Sequence, residues 1–461
     1  MKGCRSLGFV LGLLFVPLVV GAQSPTLTLD QAWKATLDNN KTLQLRQSEY
    51  RVAQDGLQEA ASRLWPTLSF NSSASYLTDP QKGVTIKAGT LGSAPNANAK
   101  FPTPVPGTDI VLVPDPLHTY FKLGTTLSVP LFTWGKLSQA VHLAELQVSL
   151  ASLNTEKTTE ETRRDVRKAY FGSVMARETL GVLKKMEELM LGLMKDRQLN
   201  FEQGTVNKEA VLETAGRLAD LTGQRKKVEQ GLKTASLGLG LLTGLKIDPV
   251  TLTDVMRTNV ADLDLETLQE KAWVASSARK ILERQQELAK GAQKIEEASG
   301  PLHPDFGLNL QFEFNGQAVP YSPNWRDTWN PNLTISVGTN GTWFDGFKAD
   351  ARIKSAYEKV LQAQAGMELL KEGLTVQVQQ SVETVTNALS GVASKKAALD
   401  LADERNRNAQ VAFKNELATR EDSQGAQLGE LLAEIDDWTA RFQFELSLID
   451  LEFLTGVQLP S

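Results

Sequence analysis

Residues capable of metal or nucleophilic chemistry are few and far apart in this sequence. It contains 3 histidines and 1 cysteine in 461 residues, and His118, His142 and His303 never lie three or four positions apart. A helix therefore cannot present two of them to one metal ion. The run GLGLLTG at residues 238–244 lacks the spacing of a dinucleotide-binding loop, and no Ser/His/Asp pattern or phosphate-binding loop is evident. We expect no catalytic, metal-binding or cofactor-binding residues, and an enzyme is kept only as an alternative.

The composition disfavours several other classes of protein. Lys and Arg number 49 against 54 Asp and Glu, a net charge of -5, whereas a nucleic-acid binder is usually basic. One cysteine cannot build a cysteine-based metal site or a disulfide framework. Hydrophobic residues at 41% and charged residues at 22% are typical of a folded chain. The function must therefore be sought in the elements that this chain builds.

The amino terminus has the layout of a cleavable secretory signal. Lys2 and Arg5 precede an apolar stretch at residues 7–20, and small residues precede a cut after Ala22. The apolar stretch is shorter than the about 20 residues that a membrane-spanning helix needs. We therefore predict that residues 1–22 are a signal peptide and that the mature protein is exported.

The remaining sequence contains two copies of one repeating unit. Phe132 and Phe344 are 212 positions apart, as are the LTG runs that end at Gly244 and Gly456. A constant offset over so long a stretch indicates an internal two-fold repeat. The predicted organisation is a signal peptide at 1–22, a first repeat at 23–245, a linker or equatorial segment at 246–265 and a second repeat at 266–461.

Four runs of alternating apolar and polar residues predict strands with one apolar face and one polar face. Each covers about 9–11 residues, the length with which a tilted strand crosses a bilayer. Aromatic residues such as Trp134 and Trp329 lie at the strand ends, as is typical of membrane interfaces. The residues expected to face lipid are Phe121, Leu123, Phe306, Leu308, Leu310 and Phe312. The residues expected to face a water-filled lumen are Lys122, Asn309, Gln311 and Glu313.

Four strands cannot close a barrel alone, because about 8 is the practical minimum. Several chains must therefore each donate four strands. A barrel of about 8 strands has a filled interior, whereas polar inward faces require water, so 12 strands from three chains are favoured. The segment at residues 78–117, rich in Pro, Gly, Asn and Ala, is expected to be an exposed loop between two of the strands.

Helices of unusual length complete each repeat. Residues 133–200 and 345–412 contain no proline and keep a helical pattern, which corresponds to about 100 Å of helix each. Shorter helices are predicted at residues 29–64 and 205–244. Apolar residues at heptad spacing favour coiled-coil packing. Helices of this length make a compact soluble fold improbable, since ordinary helices average about 11–12 residues.

These features together resemble the TolC-like outer membrane efflux protein family. The motifs that carry the resemblance are VPLFTWGKLSQA at 129–140, TWFDGFKADA at 342–351, the FEQGTVNKEAVLE turn at 201–213 and its copy FKNELATREDS at 413–423. The resemblance covers almost the whole mature sequence. It implies an α+β membrane protein: a homotrimer with a 12-stranded outer-membrane β-barrel, continued by a long α-helical coiled-coil tunnel through the periplasm.

The resemblance also implies a function and partners. It implies an exit duct of a tripartite efflux or type I secretion system, located in the outer membrane and extending into the periplasm. Substrates would arrive from an inner-membrane pump of the RND, ABC or MFS type through a periplasmic adaptor (membrane fusion) protein. It implies no cofactor, and contact with outer-membrane lipid. The acidic net charge argues against a nucleic-acid partner.

The family's functional residues lie at the two helical turns, and the match assigns a periplasmic gate or adaptor-contact tip. The assigned residues are Phe201, Glu202, Gly204, Asn207, Glu209, Phe413, Glu416, Thr419, Arg420, Glu421 and Asp422. Glu416 replaces the turn glycine in the second copy, and Ala210 replaces the acidic residue that Asp422 provides there. Arg405, Arg407 and Arg420 are the expected cations for the gate carboxylates.

A soluble periplasmic coiled-coil adaptor or structural protein without a barrel is the main alternative. Such a protein would share the signal and the heptads. It would have no need of four alternating strands with aromatic ends, which is why the channel is favoured.

Overall fold

The structure is a computed structural model. It describes residues 27–79, 82–88, 108–113, 118–248, 252–261, 263–317 and 329–460. The predicted signal peptide at 1–22 lies outside these residues.

The described residues form eight helices and six strands. The helices are α1 (Leu29–Asn39), α2 (Lys41–Ser62), α3 (Lys136–Glu202), α4 (Lys208–Thr243), α5 (Leu265–Ala275), α6 (Ser277–Ala298), α7 (Lys348–Lys414) and α8 (Arg420–Thr455). The strands are β1 (Thr67–Tyr76), β2 (Val84–Ile86), β3 (Ile110–Val113), β4 (Thr119–Phe132), β5 (Asp305–Gln317) and β6 (Asn330–Asn340). Within this part of the chain, none of the helices is apolar over a stretch long enough to cross a bilayer.

The helices of the two halves match in length. Helices α1 and α5 have 11 residues each, α2 and α6 have 22, α3 and α7 have 67, and α4 and α8 have 36. Both α4 and α8 end at a glycine in the left-handed conformation, Gly244 and Gly456. These equalities support the predicted repeat, whose boundaries stay a prediction.

The helix predicted to be continuous over residues 29–64 is divided at Asn40, which corrects the prediction. Asn40 has an extended backbone, with φ -67° and ψ 122°, and so ends α1. Its Oδ1 accepts a hydrogen bond from the backbone N–H of Thr42 at 2.9 Å, and its Nδ2 donates to the carbonyl of Leu242 at 2.9 Å. One asparagine thereby caps α2 and binds the end of α4. Ser276, with φ -54° and ψ 110°, ends α5 at the equivalent position and separates it from α6.

The chain forms two compact units, each assembled from separated segments. Unit 1 contains Met1–Arg46, Thr155–Ser277 and Lys371–Ser461, and unit 2 contains Gln47–Asn154 and Ala278–Leu370. Each unit therefore draws on both predicted repeats, and α3 and α7 each run through both units.

Unit 2 contains an antiparallel sheet of four strands in the order β1-β4-β5-β6. The strands of the two halves meet where β4 pairs with β5, and β1 and β6 form the two edges. Strands β2 and β3 make a separate pair within the segment that was predicted to be only loop.

The register of this sheet gathers apolar side chains on one face. Leu127 is paired with both Leu68 and Leu310, and Leu310 is also paired with Ile335. Because alternate side chains point to opposite faces, all six residues predicted to face lipid share this face. The four residues predicted to face the lumen share the other. That the faces meet lipid and water stays a prediction.

Aromatic side chains flank the sheet at both ends of β4. At one end, the rings of Phe121 and Trp329 lie 5.4 Å apart. At the other end, the rings of Phe132 and Trp134 lie 5.0 Å apart, and the indole N–H of Trp134 donates to the carbonyl of Pro304 at 2.9 Å. Two aromatic groups separated by an apolar band are the arrangement that membrane interfaces favour.

Unit 1 is a layer of long helices with three apolar clusters. In one cluster Leu183 of α3 packs with Leu221 of α4 and Leu431 of α8. In another, Val385 of α7 packs with Phe444 of α8 and with residues of α5. Ion pairs join α4 to α3 (Arg225–Glu187), α3 to α8 (Lys185–Glu434) and α8 to α7 (Lys395–Asp436). They indicate the order α4, α3, α8, α7, with α4 and α7 as the outer helices.

A buried ionic cluster lies in unit 1 beside the linker. Glu445 of α8 is 1% exposed, and its carboxylate accepts hydrogen bonds from the guanidinium of Arg257 at 2.8 and 3.1 Å. Glu452 accepts from Arg257 at 2.8 Å and pairs with Arg167 of α3 at 2.6 Å. Arg257 also donates to the carbonyl of Leu459 at 3.3 Å. The cluster thus joins α3, the linker, α8 and the carboxyl-terminal segment.

Hydrogen bonds to Tyr170 hold the linker against α3 at a second point. The Tyr170 hydroxyl oxygen accepts from the backbone N–H of Thr253 at 3.1 Å and of Asp254 at 3.2 Å, and it lies 2.7 Å from the Asp254 carboxylate. Burial is the main cause that raises the pKa of this hydroxyl. Asp254 also accepts from the N–H of Leu29, so the start of α1 is held at the same point.

Candidate functional site

The candidate site consists of the two turns in unit 1 that join α3 to α4 and α7 to α8. In the first turn, the N–H of Gly204 donates to the carbonyl of Phe201 at 2.9 Å, and the N–H of Thr205 donates to that of Asn200 at 2.9 Å. Gly204 has φ +72°. These are the two hydrogen bonds of a Schellman motif, which needs a left-handed residue where Gly204 lies.

The second turn repeats this geometry without a glycine. The N–H of Glu416 donates to the carbonyl of Phe413 at 3.0 Å, and the N–H of Leu417 donates to that of Ala412 at 2.9 Å. Glu416 has φ +61°, a conformation that costs a non-glycine residue about 1–2 kcal/mol. The replacement of the turn glycine noted in the sequence is therefore accommodated by strain, not by a different turn.

Replacing Glu416 by glycine should stabilise the protein by about 0.5–1 kcal/mol, because the strain is removed while some backbone entropy is lost. Thermal unfolding of the detergent-solubilised protein, followed by circular dichroism, would measure the change. Gly204→Ala is the matched control at the equivalent turn and should destabilise the protein by a similar amount. Shifts of the same sign in both variants would contradict the strain at Glu416.

Polar residues after each turn cap the following helix. Asn207 accepts a hydrogen bond from the N–H of Ala210 at 2.9 Å. Thr419 and Asp422 form a capping box: the Asp422 N–H donates to the Thr419 hydroxyl at 3.1 Å, and the Thr419 N–H donates to the Asp422 carboxylate at 3.0 Å. Hydrogen bonds from the Thr419 side chain and backbone lower the pKa of Asp422. Asp422 is thus engaged with its own helix terminus.

Two ion pairs join α3 to the start of α8. Glu421 pairs with Arg197, and Arg420 lies with its Nε 3.3 Å from Oδ2 of Asp196. Arg420 and Glu421 are more than half exposed, whereas Asp196 and Arg197 are 28% and 23% exposed. Solvent therefore reaches the α8 side chain of each pair, whereas the α3 side chain is more buried.

The sequence prediction missed Asp196 and Arg197. These residues lie 224 positions before their partners, and a lone Asp-Arg pair near a helix end carries no distinguishing signal. Of the three arginines expected to pair with the gate carboxylates, Arg420 pairs with Asp196 of α3. Arg407 instead pairs with Asp403 of its own helix at 2.6 Å.

The remaining assigned residues lie in or next to the same two turns. Phe201 and Phe413 are 39% and 42% exposed, so each turn presents part of an aromatic ring to solvent. Glu202 accepts a hydrogen bond from Gln198 at 3.2 Å, and Glu209 lies exposed in the first turn of α4. That these residues form a gate or bind an adaptor stays a prediction.

Three of the four residues assigned to the lumen interact with one another on the polar face of the sheet. Lys122 forms an ion pair with Glu313, and Gln311 donates a hydrogen bond to the same carboxylate. Ser128 donates to Asn309 at 2.7 Å. The charges on this face are therefore paired, which suits a surface in contact with water. In the described part of the chain, no three His, Cys, Asp or Glu side chains come together to hold a metal ion.

Residues 33–245 match the model of a family described as outer membrane efflux proteins. This stretch belongs to the outer membrane efflux protein family. The resemblance to TolC-like outer membrane efflux proteins is thereby confirmed. The matched stretch contains the first turn and two strands of the sheet. No curated protein matches the sequence.

Solved structures of outer-membrane proteins share the fold of this chain. The CmeC outer membrane channel of Campylobacter jejuni has a TM-score of 0.73 at 14% identity, covering 94% of this chain and 86% of that chain. The outer membrane protein VceC of Vibrio cholerae has a TM-score of 0.68 at 14% identity, with 93% and 96% covered. The MtrE channel of Neisseria gonorrhoeae in its open state has a TM-score of 0.67 at 13% identity, with 93% and 89% covered. At these identities the likeness shows the fold, and it extends over both halves of the chain.

Proposed function

We propose that three copies of this chain form an outer-membrane efflux channel with a barrel of 12 strands. The observation that carries the proposal is the four-stranded sheet in unit 2, which has one apolar face, one polar face and two edge strands. On the apolar face Leu68, Phe70, Ile335 and Val337 are 65–71% exposed. A soluble protein covers such a face, whereas a membrane barrel turns it toward lipid.

The edges of the sheet support assembly between copies. Among the described residues, strands β1 and β6 have neighbours on only one side, and an edge of unpaired backbone groups cannot stay open in lipid. Pairing of β6 in one copy with β1 in the next satisfies both edges and closes a ring. The main alternative, a soluble coiled-coil protein of the periplasm, offers no partner for this sheet.

The helices of unit 1 suit a periplasmic tunnel. Their order α4, α3, α8, α7 leaves α4 and α7 at the two sides of the layer, so a cyclic trimer brings α7 of one copy beside α4 of the next. Substrates would enter this tunnel from an inner-membrane pump through a periplasmic adaptor. The turns at Gly204 and Glu416 are the proposed contacts with that adaptor.

The ion pairs between α3 and α8 are the proposed latch of the periplasmic end. Each exposed pair contributes only about 0–1 kcal/mol, so one pair cannot hold the end closed. Three copies with two pairs each provide a set that must open together. The exposed rings of Phe201 and Phe413 would add apolar contact to the closed state.

Removing both cations of the latch, in the variant Arg197→Ala with Arg420→Ala, should raise single-channel conductance in planar bilayers. Asp422 is left unchanged because it caps α8. Arg407→Ala is the matched control, since Arg407 pairs within its own helix and should leave conductance unchanged. Mass measurement of each detergent-purified sample should give three chains.

The two measurements test separate parts of the proposal. A monodisperse single chain with an intact β-sheet signal would contradict the shared barrel. Three chains with unchanged conductance in the double variant would keep the barrel and remove these pairs from the latch.

A further inference from the structure

Ring contacts hold together one end of the strand pair β4 and β5 in unit 2. The Phe132 ring lies 6.3 Å from the Phe306 ring, directly across the pair. The Trp134 indole lies 4.5 Å from the His303 ring and donates its N–H to the carbonyl of Pro304 at 2.9 Å. These five residues, here called the inner junction, join the segment that enters α3 to the segment that precedes β5.

The sequence equivalents of the inner junction lie at the two edges of the sheet. An offset of 212 positions brings Phe132 onto Phe344, and an offset of 238 positions brings Phe306 onto Leu68. Phe344 follows β6, which forms one edge, and Leu68 lies in β1, which forms the other. Within one chain the two halves are kept apart, because β4 and β5 lie between them.

The backbone before α7 supports this equivalence. Trp134 and Gly135 are consecutive left-handed residues, with φ +54° and +80°. Gly346 and Phe347, 212 positions later, are left-handed as well, with φ +68° and +66°. A β-carbon makes this conformation unfavourable, so Phe347 is strained where the first copy has glycine. Strain at an exposed aromatic residue favours a functional role for that residue.

Aromatic side chains are exposed on both edges. Trp65, just before β1, is 72% exposed, and Phe344 and Phe347 are 71% and 73% exposed. In the inner junction, where the two halves meet, Phe132 and Phe306 are only 51% and 36% exposed. Each edge therefore presents an apolar surface of the kind that the inner junction partly covers.

The two edges also exchange the position of a tryptophan relative to the inner junction. Gly346 stands where the inner junction has Trp134, and Trp65 stands where it has His303. A β-carbon added to Gly346 would meet no atom of the described residues within 4 Å, so the space beside this backbone is open. An indole can therefore enter that space from the other edge.

Interfacial lipid is the competing environment for these rings, since aromatic residues favour the boundary of a membrane. Lipid requires neither an open space at Gly346 nor a tryptophan on the opposite edge. Trp343 differs from the other rings in this respect. It is 84% exposed and is equivalent to Leu131, which has no partner in the register of β4 and β5. This ring is therefore the one that suits lipid.

We propose that the two edges meet between neighbouring copies of the chain. The Trp65 indole of one copy enters the space beside Gly346 of the next and packs against Phe347. Leu68 of the first copy stands opposite Phe344 of the second, which sets the register in which β1 pairs with β6. This aromatic seam rests on the proposed trimeric barrel and adds to it the residues and the register of the contact.

Disulfide cross-linking of the detergent-purified full-length protein tests the register. Opposed residues of antiparallel strands have Cα atoms about 4.5–5.5 Å apart, which is within disulfide reach. Leu68→Cys with Phe344→Cys should therefore give a covalent trimer after mild oxidation, seen on a non-reducing denaturing gel. Ser72→Cys with Phe344→Cys is the matched control and should not cross-link, because Ser72 lies four residues, about 13 Å, further along the same face. Cys4, the only natural cysteine, lies in the predicted signal peptide.

Dissociation of the trimer tests the role of the indole. Trp65→Ala should speed dissociation in detergent about tenfold, because three aromatic contacts are lost together. Trp343→Ala is the control and should leave the rate unchanged. Trp65 is exposed in the single chain, so its replacement should preserve the circular dichroism signal of the sheet.

The outcomes separate the seam from the proposed channel. A single chain in mass measurement of the unmodified protein would remove the trimer and the seam with it. A trimer in which Leu68→Cys and Phe344→Cys do not cross-link, or in which the Ser72 control cross-links as readily, would keep the barrel and overturn the seam. Equal dissociation rates in Trp65→Ala and Trp343→Ala would assign both rings to lipid.

Discussion

Replacing Arg257 by alanine should lower the free energy of unfolding by about 3–5 kcal/mol, because it leaves two carboxylates buried without their main cation. Glu445 and Glu452 are 1% and 6% exposed, and both are bound by the Arg257 guanidinium. Arg167 remains near them, at 2.6 Å from Glu452 but 3.7 Å from Glu445. Denaturant unfolding of the detergent-solubilised protein, followed by the helical circular dichroism signal, would measure the loss.

The control for this prediction is Arg217→Ala, which removes an exposed pair with Glu213 on α4 and should cost at most about 1 kcal/mol. Lowering the pH should narrow the difference in stability between the two variants. Burial alone would raise the pKa of Glu452, but the hydrogen bond from Arg257 and the charge of Arg167 lower it below its ordinary 4.5. The stabilisation is therefore complete above pH 4.5 and is lost as the pH falls through the lowered pKa. Equal losses in Arg257→Ala and Arg217→Ala would contradict the importance of the cluster.

In the proposed barrel, where the apolar face meets lipid, Leu310→Arg should destabilise the folded protein by about 2–4 kcal/mol, the cost of a basic residue at the centre of a lipid-facing strand. Leu310 is paired with Leu127 on one neighbouring strand and with Ile335 on the other, so it lies in the middle of the apolar face. Folding into lipid vesicles at increasing urea concentration would measure the change.

Gln311→Arg is the matched control, one residue further along the same strand. Gln311 lies on the opposite face beside Glu313, where an arginine finds a carboxylate and, in the proposed channel, water. This variant should fold nearly as well as the unmodified protein and alter conductance. If the two variants fold equally well or equally badly, the two faces of the sheet do not differ in environment.

The parts of the fold that could be predicted from the sequence are those set by local periodicity. Alternation in residues 306–314 predicted β5 and its two faces, because side chains of a strand alternate by geometry alone. Unbroken helical pattern predicted α3 and α7 to within three residues at each end. The similarity of the two halves predicted that their helices would have matching lengths.

The parts that could not be predicted depend on tertiary contact. Asn40 divides α1 from α2 while its amide bonds the end of α4, a partner about 200 residues away. The Arg197–Glu421 pair likewise joins residues with no local relation. The capping role of Asp422 is different, since Thr419 three residues earlier is a readable capping signal. The assignment of Asp422 only to the gate left its capping role unpredicted.

The position of α8 in unit 1 has a consequence for how the protein is made. This last helix contributes Ile449, Phe444 and Leu431 to the three separate apolar clusters, and Glu445 and Glu452 to the ionic cluster. A chain emerging from the ribosome presents α3 and α4 long before α8 exists. The apolar residues of α3 and α4 that pack in clusters with α8 therefore lack this partner until the end of the chain has been synthesised. Whatever carries the chain to its destination must shield those apolar residues until synthesis is complete, and a chain truncated before α8 would lack a member of each of the three clusters.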